Sequence, residues 1–313
     1  MNRGCWGLVL VAGLLWSGCT GGPFTREELR ELRRYESLPP GAQSKFVEVR
    51  GKRIHYLEQS DGDYPAILLL HGFPTSSYTW RHVIPRLAKR YRVYALDLIG
   101  YGQSTVPPSV NRSLGAQVSY VAEWMEAIGL RDAIVAGQDI GGGVAQLLAV
   151  KYPSKARGLV LINSVCFDSW PYEYANLLKE PGYGQFVGAG LTRRTGFKAQ
   201  LMKGVYHQKL LSDGVVDSYY EPWNSENGRR NLLANAQDQD NRDTTGIEND
   251  LRGIRAPTLV IAGRFDPFQP TDYSRRLAAS IPGAQFTIIP DCGHIATEDE
   301  PEKIVKYIFD FFR

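Results

Sequence analysis

The chain has 313 residues, 43% of them hydrophobic, and a formal net charge of +3. That length and apolar content can bury a large core and form one α/β domain carrying an insertion, which excludes a chain too polar to fold. The charge is small and Lys and Arg are scattered among acids without a basic stripe, so nucleic acid is not an expected partner.

In chain order, Arg3 precedes an apolar stretch from Leu8 to Trp16. It is too short to span a bilayer and has the length of a signal-peptide core. It ends in Ser17-Gly18-Cys19, which is similar to a bacterial lipobox, where lipid is attached to the Cys19 sulfur and cleavage falls before it. Trp16 departs from the aliphatic residue usual three positions before that cysteine, which leaves cleavage as a plain secretory signal open. A buried N-terminal helix is the weaker alternative. Residues 1–19 are therefore expected to direct export to a bacterial cell envelope, with lipid on Cys19 as the membrane attachment. Cys5 leaves with the signal, and the remaining Cys166 and Cys292 are too few for a disulfide framework.

Residues 20–44 read as a tether, with a charged helical pattern from Thr25 to Tyr35 ended by Pro39-Pro40-Gly41. A hairpin is expected from Phe46 to Val49 and Ile54 to Leu57 around Gly51-Lys52. Apolar strands follow at Ala66 to Leu70, Arg92 to Leu98, Asp132 to Ala136, Gly158 to Ile162, Thr258 to Ala262 and Gln285 to Ile289. Helical patterns occupy Trp80 to Ala88, Gly115 to Ile128, Val144 to Val150, Asp272 to Ser280 and Pro301 to Phe312. This alternation predicts an α/β fold with a mostly parallel sheet covered on both faces. The exception is 165–252, where no buried strand is evident and aromatic residues accumulate, among them Trp170, Tyr172, Tyr174, Tyr206, Tyr219, Tyr220 and Trp223. It reads as a helical cap inserted after the sixth main strand, placed to exclude water from a site at the strand ends. The core is then 45–164 with 253–313.

The chemistry is carried by Val135-Ala136-Gly137-Gln138-Asp139-Ile140-Gly141-Gly142-Gly143. A strand passes into a helix through small residues, a turn that lifts the side chain at its tip clear of the sheet. The tip is an aspartate, and a carboxylate forms an alkyl ester with an electrophilic carbon. The glycines lack a following Lys-Ser/Thr, so a nucleotide site is not expected. His71-Gly72-Phe73-Pro74-Thr75-Ser76-Ser77-Tyr78-Thr79-Trp80-Arg81, then Asp97-Leu98-Ile99-Gly100-Tyr101-Gly102-Gln103-Ser104, then Asp139, Asp266 and His294 occur in an order that resembles the α/β-hydrolase fold family, in its haloalkane dehalogenase and epoxide hydrolase branch. The resemblance covers nearly everything from Lys45 onward and is weak in the cap.

A triad follows from both lines of reasoning. Asp291-Cys292-Gly293-His294 comes after the last expected strand, where the His294 imidazole can take a proton from water attacking the Asp139 ester. Asp266 follows the preceding strand and can accept the other ring N–H; some dehalogenases keep the acid after the sixth strand, where this chain has Asn163. The backbone N–H groups of Phe73 and Ile140 are the expected oxyanion donors. A capping aspartate or an isolated structural histidine is the competing reading at each site, and the joint order argues against it.

Leaving-group stabilisation separates the two chemistries. The resemblance implies that dehalogenases hold the halide with a Trp after the nucleophile and with an Asn after His-Gly or a cap Trp, positions held here by Ile140 and Phe73, neither a side-chain donor. Trp170 or Trp223 would have to substitute. Epoxide hydrolases protonate the opening oxygen with cap tyrosines, and Tyr174 lies in a segment similar to the one that carries the first; a second is not identifiable near Leu233 to Asn235. The expectation is an exported hydrolase, needing no cofactor or metal, that acts on a small, largely apolar electrophile with water and favours epoxides. Dehalogenation is the alternative, and an inactive envelope binding protein of the same fold is the alternative of another class.

Overall fold

The computed structural model describes residues 38–313, except Tyr172, Pro181, Tyr183 and the side chains of Glu173, Tyr174 and Gln185. The expected signal, the helix expected from Thr25 to Tyr35 and the tether up to residue 37 lie outside the described residues.

The hairpin is formed by β1 (Gln43–Val49) and β2 (Lys52–Gln59). β1 begins inside the segment expected as tether, because Gln43 pairs with Glu58 and Ser44 with Leu57. Both residues are polar and exposed, so backbone pairing at the sheet edge, not apolar periodicity, makes them strand. The remaining strands are β3 (Ala66–Leu70), β4 (Arg92–Leu96), β5 (Ala133–Gln138), β6 (Ala156–Ile162), β7 (Thr258–Gly263) and β8 (Gln285–Ile289). They form one eight-stranded sheet in the order β1-β2-β4-β3-β5-β6-β7-β8, parallel from β4 to β8 and antiparallel on both sides of β2.

The central strands are buried on both faces. Leu68 and Leu70 of β3 join Val135, Leu159 and Leu161 in one apolar layer, while Ile67 and Leu69 join Ile134, Ala136, Val160 and Ile162 in the other. Alternation of side chains along each strand produces this division. Each fully buried leucine contributes roughly 1.5–3 kcal/mol relative to exposure.

The helix expected from Trp80 to Ala88 is divided into a 3-10 turn at Ser77–Trp80, capped by the Ser76 side chain, and a short α1 (Ile84–Leu87). Pro85 in the first turn of α1 accounts for the division, since proline starts a helix well and cannot continue one. α2 (Leu114–Ala127) is capped by the Ser113 side chain. α3 (Ile140–Lys151) begins directly after Asp139 and so includes the three glycines, four residues before the helix expected from sequence. Helix propensity disfavours glycine, but tertiary packing overrides it here.

Between β6 and β7 the described residues are helical or irregular and contain no strand. They comprise α4 (Glu173–Leu177), α5 (Gly184–Leu191), α6 (Arg194–Gly204), α7 (Asp213–Tyr220), α8 (Glu226–Gln237) and α9 (Arg242–Thr245). α10 (Thr271–Ser280), α11 (Ala296–Asp299) and α12 (Pro301–Phe311) complete the chain.

Candidate active site

Asp139 stands at the junction of β5 and α3 with φ 53° and ψ −123°, a backbone conformation that non-glycine residues rarely adopt. Such strain costs on the order of 1–3 kcal/mol and persists only where surrounding packing imposes it. Here the imposition is visible: a Cβ on Gly141 would lie 2.3 Å from the Leu70 carbonyl oxygen, and one on Gly72 would lie 2.7 Å from the Asp139 Cβ. Both distances are far inside contact, so the helix start and the loop after β3 close on the aspartate only because these two side chains are absent.

The carboxylate meets different partners on its two oxygens. The Phe73 N–H donates to Oδ2 at 2.8 Å, and the Ile140 N–H also donates to the carboxylate. Oδ1 faces His294 Nε2 at 3.7 Å, beyond hydrogen-bond distance. His294 Nδ1 lies 2.8 Å from Asp266 Oδ2, and the other oxygen of Asp266 accepts the N–H groups of Phe268 and Gln269 at 2.8 and 2.9 Å. Asp139, His294 and Asp266 are thus brought together in a line at the carboxyl ends of β5, β8 and β7.

Electrostatics follow from burial and pairing. Burial raises the Asp139 carboxyl above its ordinary range, opposed by the His294 charge and the two N–H donors. Burial pushes His294 down, but the Asp266 carboxylate, its hydrogen bond and the Asp139 charge together outweigh it and leave the imidazole above its ordinary value.

The loop bearing Phe73 is fixed by His71. Its Nε2 accepts the Leu98 N–H at 3.0 Å, so Nδ1 carries the proton and donates to the Gly72 carbonyl at 2.9 Å. Burial lowers its pKa, which keeps it neutral. Asp97 accepts the N–H groups of Ser77 and Gln103, and its contact with His55 holds it at about 2 despite complete burial.

Asn163 does not serve as an acid. Its Nδ2 donates to the carbonyls of Gly293 and His294 at 2.9 and 2.8 Å, and its Oδ1 accepts the Gly263 N–H at 2.7 Å. It ties the end of β6 to the loops that carry His294 and Asp266, with φ 44° that asparagine tolerates. The position was visible in the sequence but not this role, whose partners lie 100 to 131 residues away. Gln138 adds a donor to the His294 carbonyl at 3.2 Å.

The candidate leaving-group donors fare differently. The Trp170 indole N–H donates to Thr244 Oγ1 at 2.8 Å, and that of Trp223 to the Pro74 carbonyl at 3.0 Å. A tryptophan has one N–H, so this structure leaves neither for a departing halide. Among the other cap tyrosines, Tyr219 bonds Thr79 and Glu298, Tyr220 donates to the Thr192 carbonyl, and Tyr206 is exposed and stacked on Phe265. The Tyr174 side chain lies outside the described residues. At the expected place of a second tyrosine, Asn235 donates to the Gly100 carbonyl at 2.9 Å. Aromatic walls remain: Phe73 and Trp223 each pack edge-on against Tyr101, and Phe268 packs edge-on against His294. Cys166 and Cys292 are both buried and free.

Pig bifunctional epoxide hydrolase 2 is 26% identical over 88% of this chain, which spans just over half (56%) of that longer relative. Haloalkane dehalogenase 2 of Mycobacterium tuberculosis H37Rv is 28% identical over 86% of this chain and 95% of its own length. Among solved structures, Cfl2 of Burkholderia cenocepacia superposes with a TM-score of 0.77 at 25% identity, covering 87% of this chain and 96% of its own. The sequence profile of the alpha/beta hydrolase fold matches residues 65–301, more than half of the chain, which therefore belongs to the alpha/beta hydrolase fold family.

Proposed function

We propose that this hydrolase opens small, largely apolar epoxides through an alkyl ester on Asp139. The observation that carries the reading is the division of labour on one carboxylate, with Oδ2 held by the Phe73 N–H, Oδ1 turned toward His294, and the Ile140 N–H donating to the same group. Asp139 Oδ1 attacks an oxirane carbon, the carbon–oxygen bond breaks, and the alkoxide takes a proton from a cap donor, for which Tyr174 is the candidate. Water then gives a proton to His294 Nε2 as its oxygen adds to the Asp139 carboxyl carbon, and Asp266 stabilises the imidazolium. Charge develops on Oδ2, where Phe73 already donates, with the Ile140 N–H on the same carboxyl group. The ester bond breaks, His294 gives its proton to the leaving alkoxide, the diol departs, and the proton left on the Asp139 carboxyl returns through solvent to the cap donor.

Hydrolytic dehalogenation is the second reading, supported by the likeness to a protein called haloalkane dehalogenase over nearly its whole length. It is ranked lower because Ile140 and Phe73 have no side-chain donor and the N–H groups of Trp170 and Trp223 are engaged elsewhere. One experiment separates them: diol formation from styrene-type epoxides and bromide release from terminal bromoalkanes, measured in parallel. Diol formation should exceed bromide release, by about a hundredfold if one missing donor sets the difference. Brisk bromide release without diol reverses the ranking, and neither product with tight binding of an envelope component favours a binding role. We further infer export and attachment through lipid on Cys19, supported by the apolar run from Leu8 to Trp16 and the Ser17-Gly18-Cys19 that follows.

A further inference from the structure

His294 is enclosed by two sets of contacts with different origins. From the core, Asn163 and Gln138 hold the carbonyls of Gly293 and His294. From the cap, the segment after α6 lies directly on the same loop. The Ile295 N–H donates to the Gly204 carbonyl at 2.9 Å. A Cβ on Gly293 would come within 2.7 Å of that carbonyl oxygen and 3.0 Å of the Tyr206 nitrogen. The residues on either side of His294 therefore both touch cap residues 204–206.

One carboxylate joins the two sides. Asp299 Oδ2 accepts the Gly293 N–H at 2.8 Å and the Tyr206 N–H at 3.0 Å, while Oδ1 accepts the His207 N–H at 2.8 Å. Three main-chain donors on one anion make a strong, geometrically fixed junction. Its neighbour Glu298 is buried, pairs with Arg81 and accepts the hydroxyl of Tyr219 in α7. Thr297 meets Thr79 at 2.8 Å. Three consecutive side chains, beginning three residues after the base, thus face the cap and the loop that follows Phe73.

We propose that Asp299 is a positioning residue that couples seating of the cap to placement of His294, so that hydrolysis of the Asp139 ester proceeds only with the cap seated. The proposal rests on the mechanism given above. It places the dependence on the second step, because Asp299 seats only the cap segment around Tyr206 and His207, alkylation uses Asp139 and the candidate donor Tyr174 in α4, and only the attacking water needs His294. The device keeps the base in register while the cap excludes bulk water, a geometry in which a small displacement is costly.

Two variants test it, by exchange and by kinetics. Asp299→Ala removes the acceptor. Tyr206→Pro removes one cap donor and leaves Asp299 in place; the preceding Val205 is already extended at φ −110° and ψ 128°, as a following proline requires. Amide hydrogen exchange should show protection at residues 293–295 falling in both variants, while β5 amides keep wild-type protection. In single turnover, ester formation should stay near the wild-type rate while its hydrolysis slows about tenfold to a hundredfold, so that kcat and KM fall together. A merely structural role would lower stability and leave the ratio of the two steps unchanged. Unaltered exchange at 293–295 in Tyr206→Pro, or equal slowing of both steps, overturns the proposal. A wild-type enzyme that never forms an ester overturns the functional reading, and the exchange experiment still decides the coupling.

Discussion

The two oxygens of Asp139 sit in different environments, and their difference is testable residue by residue. In a single turnover in oxygen-18 water, label should enter the Asp139 carboxylate, because water adds to the enzyme's carboxyl carbon and the product departs with an enzyme oxygen. Label in the product with none in Asp139, read by peptide mass spectrometry, would make the carboxylate a general base. His294→Gln should let the ester accumulate, since alkylation does not use the imidazole. pH should act in the same direction: Asp266 holds the His294 pKa above its ordinary value, so as pH falls through that value the base becomes protonated and hydrolysis slows. Rapid-quench analysis on the acid side should then find more ester than at higher pH, as long as Asp139 remains ionised. Asn163→Ala should leave the Gly263 N–H without its acceptor and leave the Gly293 and His294 carbonyls only the Cys292 thiol and Gln138, and should cost about 1–3 kcal/mol in urea denaturation. Asn163→Asp should not restore it, because the two donors are lost. That Asp139, His294 and Asp266 would come together was legible from their types and order. The role of Asn163 was not, because its partners lie a hundred residues or more away, and no local pattern encodes them.

At the scale of elements, the meeting of β3, β5 and α3 decides whether Asp139 can stand at a turn tip. Gly141→Ala drives a Cβ into the backbone oxygens of Leu70 and His71, which cannot rotate away. It should destabilise the protein by about 1–3 kcal/mol and reduce activity by displacing the Ile140 N–H, measured by denaturation and turnover together. Gly190→Ala in α5 is the contrasting substitution: nothing lies within 4 Å of its Cβ and the residue is exposed. Helix propensity should then stabilise by roughly 0.5–1 kcal/mol, with turnover unchanged. The same chemical change thus has opposite signs according to tertiary neighbours. Strands β3, β5, β6, β7 and β8 were legible because continuous apolar runs bounded by turns leave little alternative. The start of α3 and the division before α1 were not, since the first depends on close backbone approach and the second on the Ser76 cap and Pro85.

For the whole molecule, the proposed export and anchoring can be tested apart from the fold. Cys19→Ser should shift the protein from the membrane fraction to the soluble envelope fraction, with an unlipidated N-terminus; a wild-type protein that is already soluble and begins elsewhere removes the lipobox reading. A chain starting at Leu38 should retain the cooperative unfolding of the full chain, as the described sheet begins at Gln43 and both apolar layers lie beyond it. By itself the sequence determined the class of fold, the order of strands along the chain, the helical character of the segment after β6 and the three residues proposed for the chemistry. These properties are local: hydrophobic period, turn residues and the identity of a side chain at a strand end survive in one dimension. Tertiary structure alone decided which oxygen of Asp139 faces the base, which cap tryptophans have an N–H to offer, and how Asp299 joins the cap to the loop of His294. Each depends on pairing between groups distant in the chain, where a hydrogen bond exists only if both partners arrive within about 3 Å and in line.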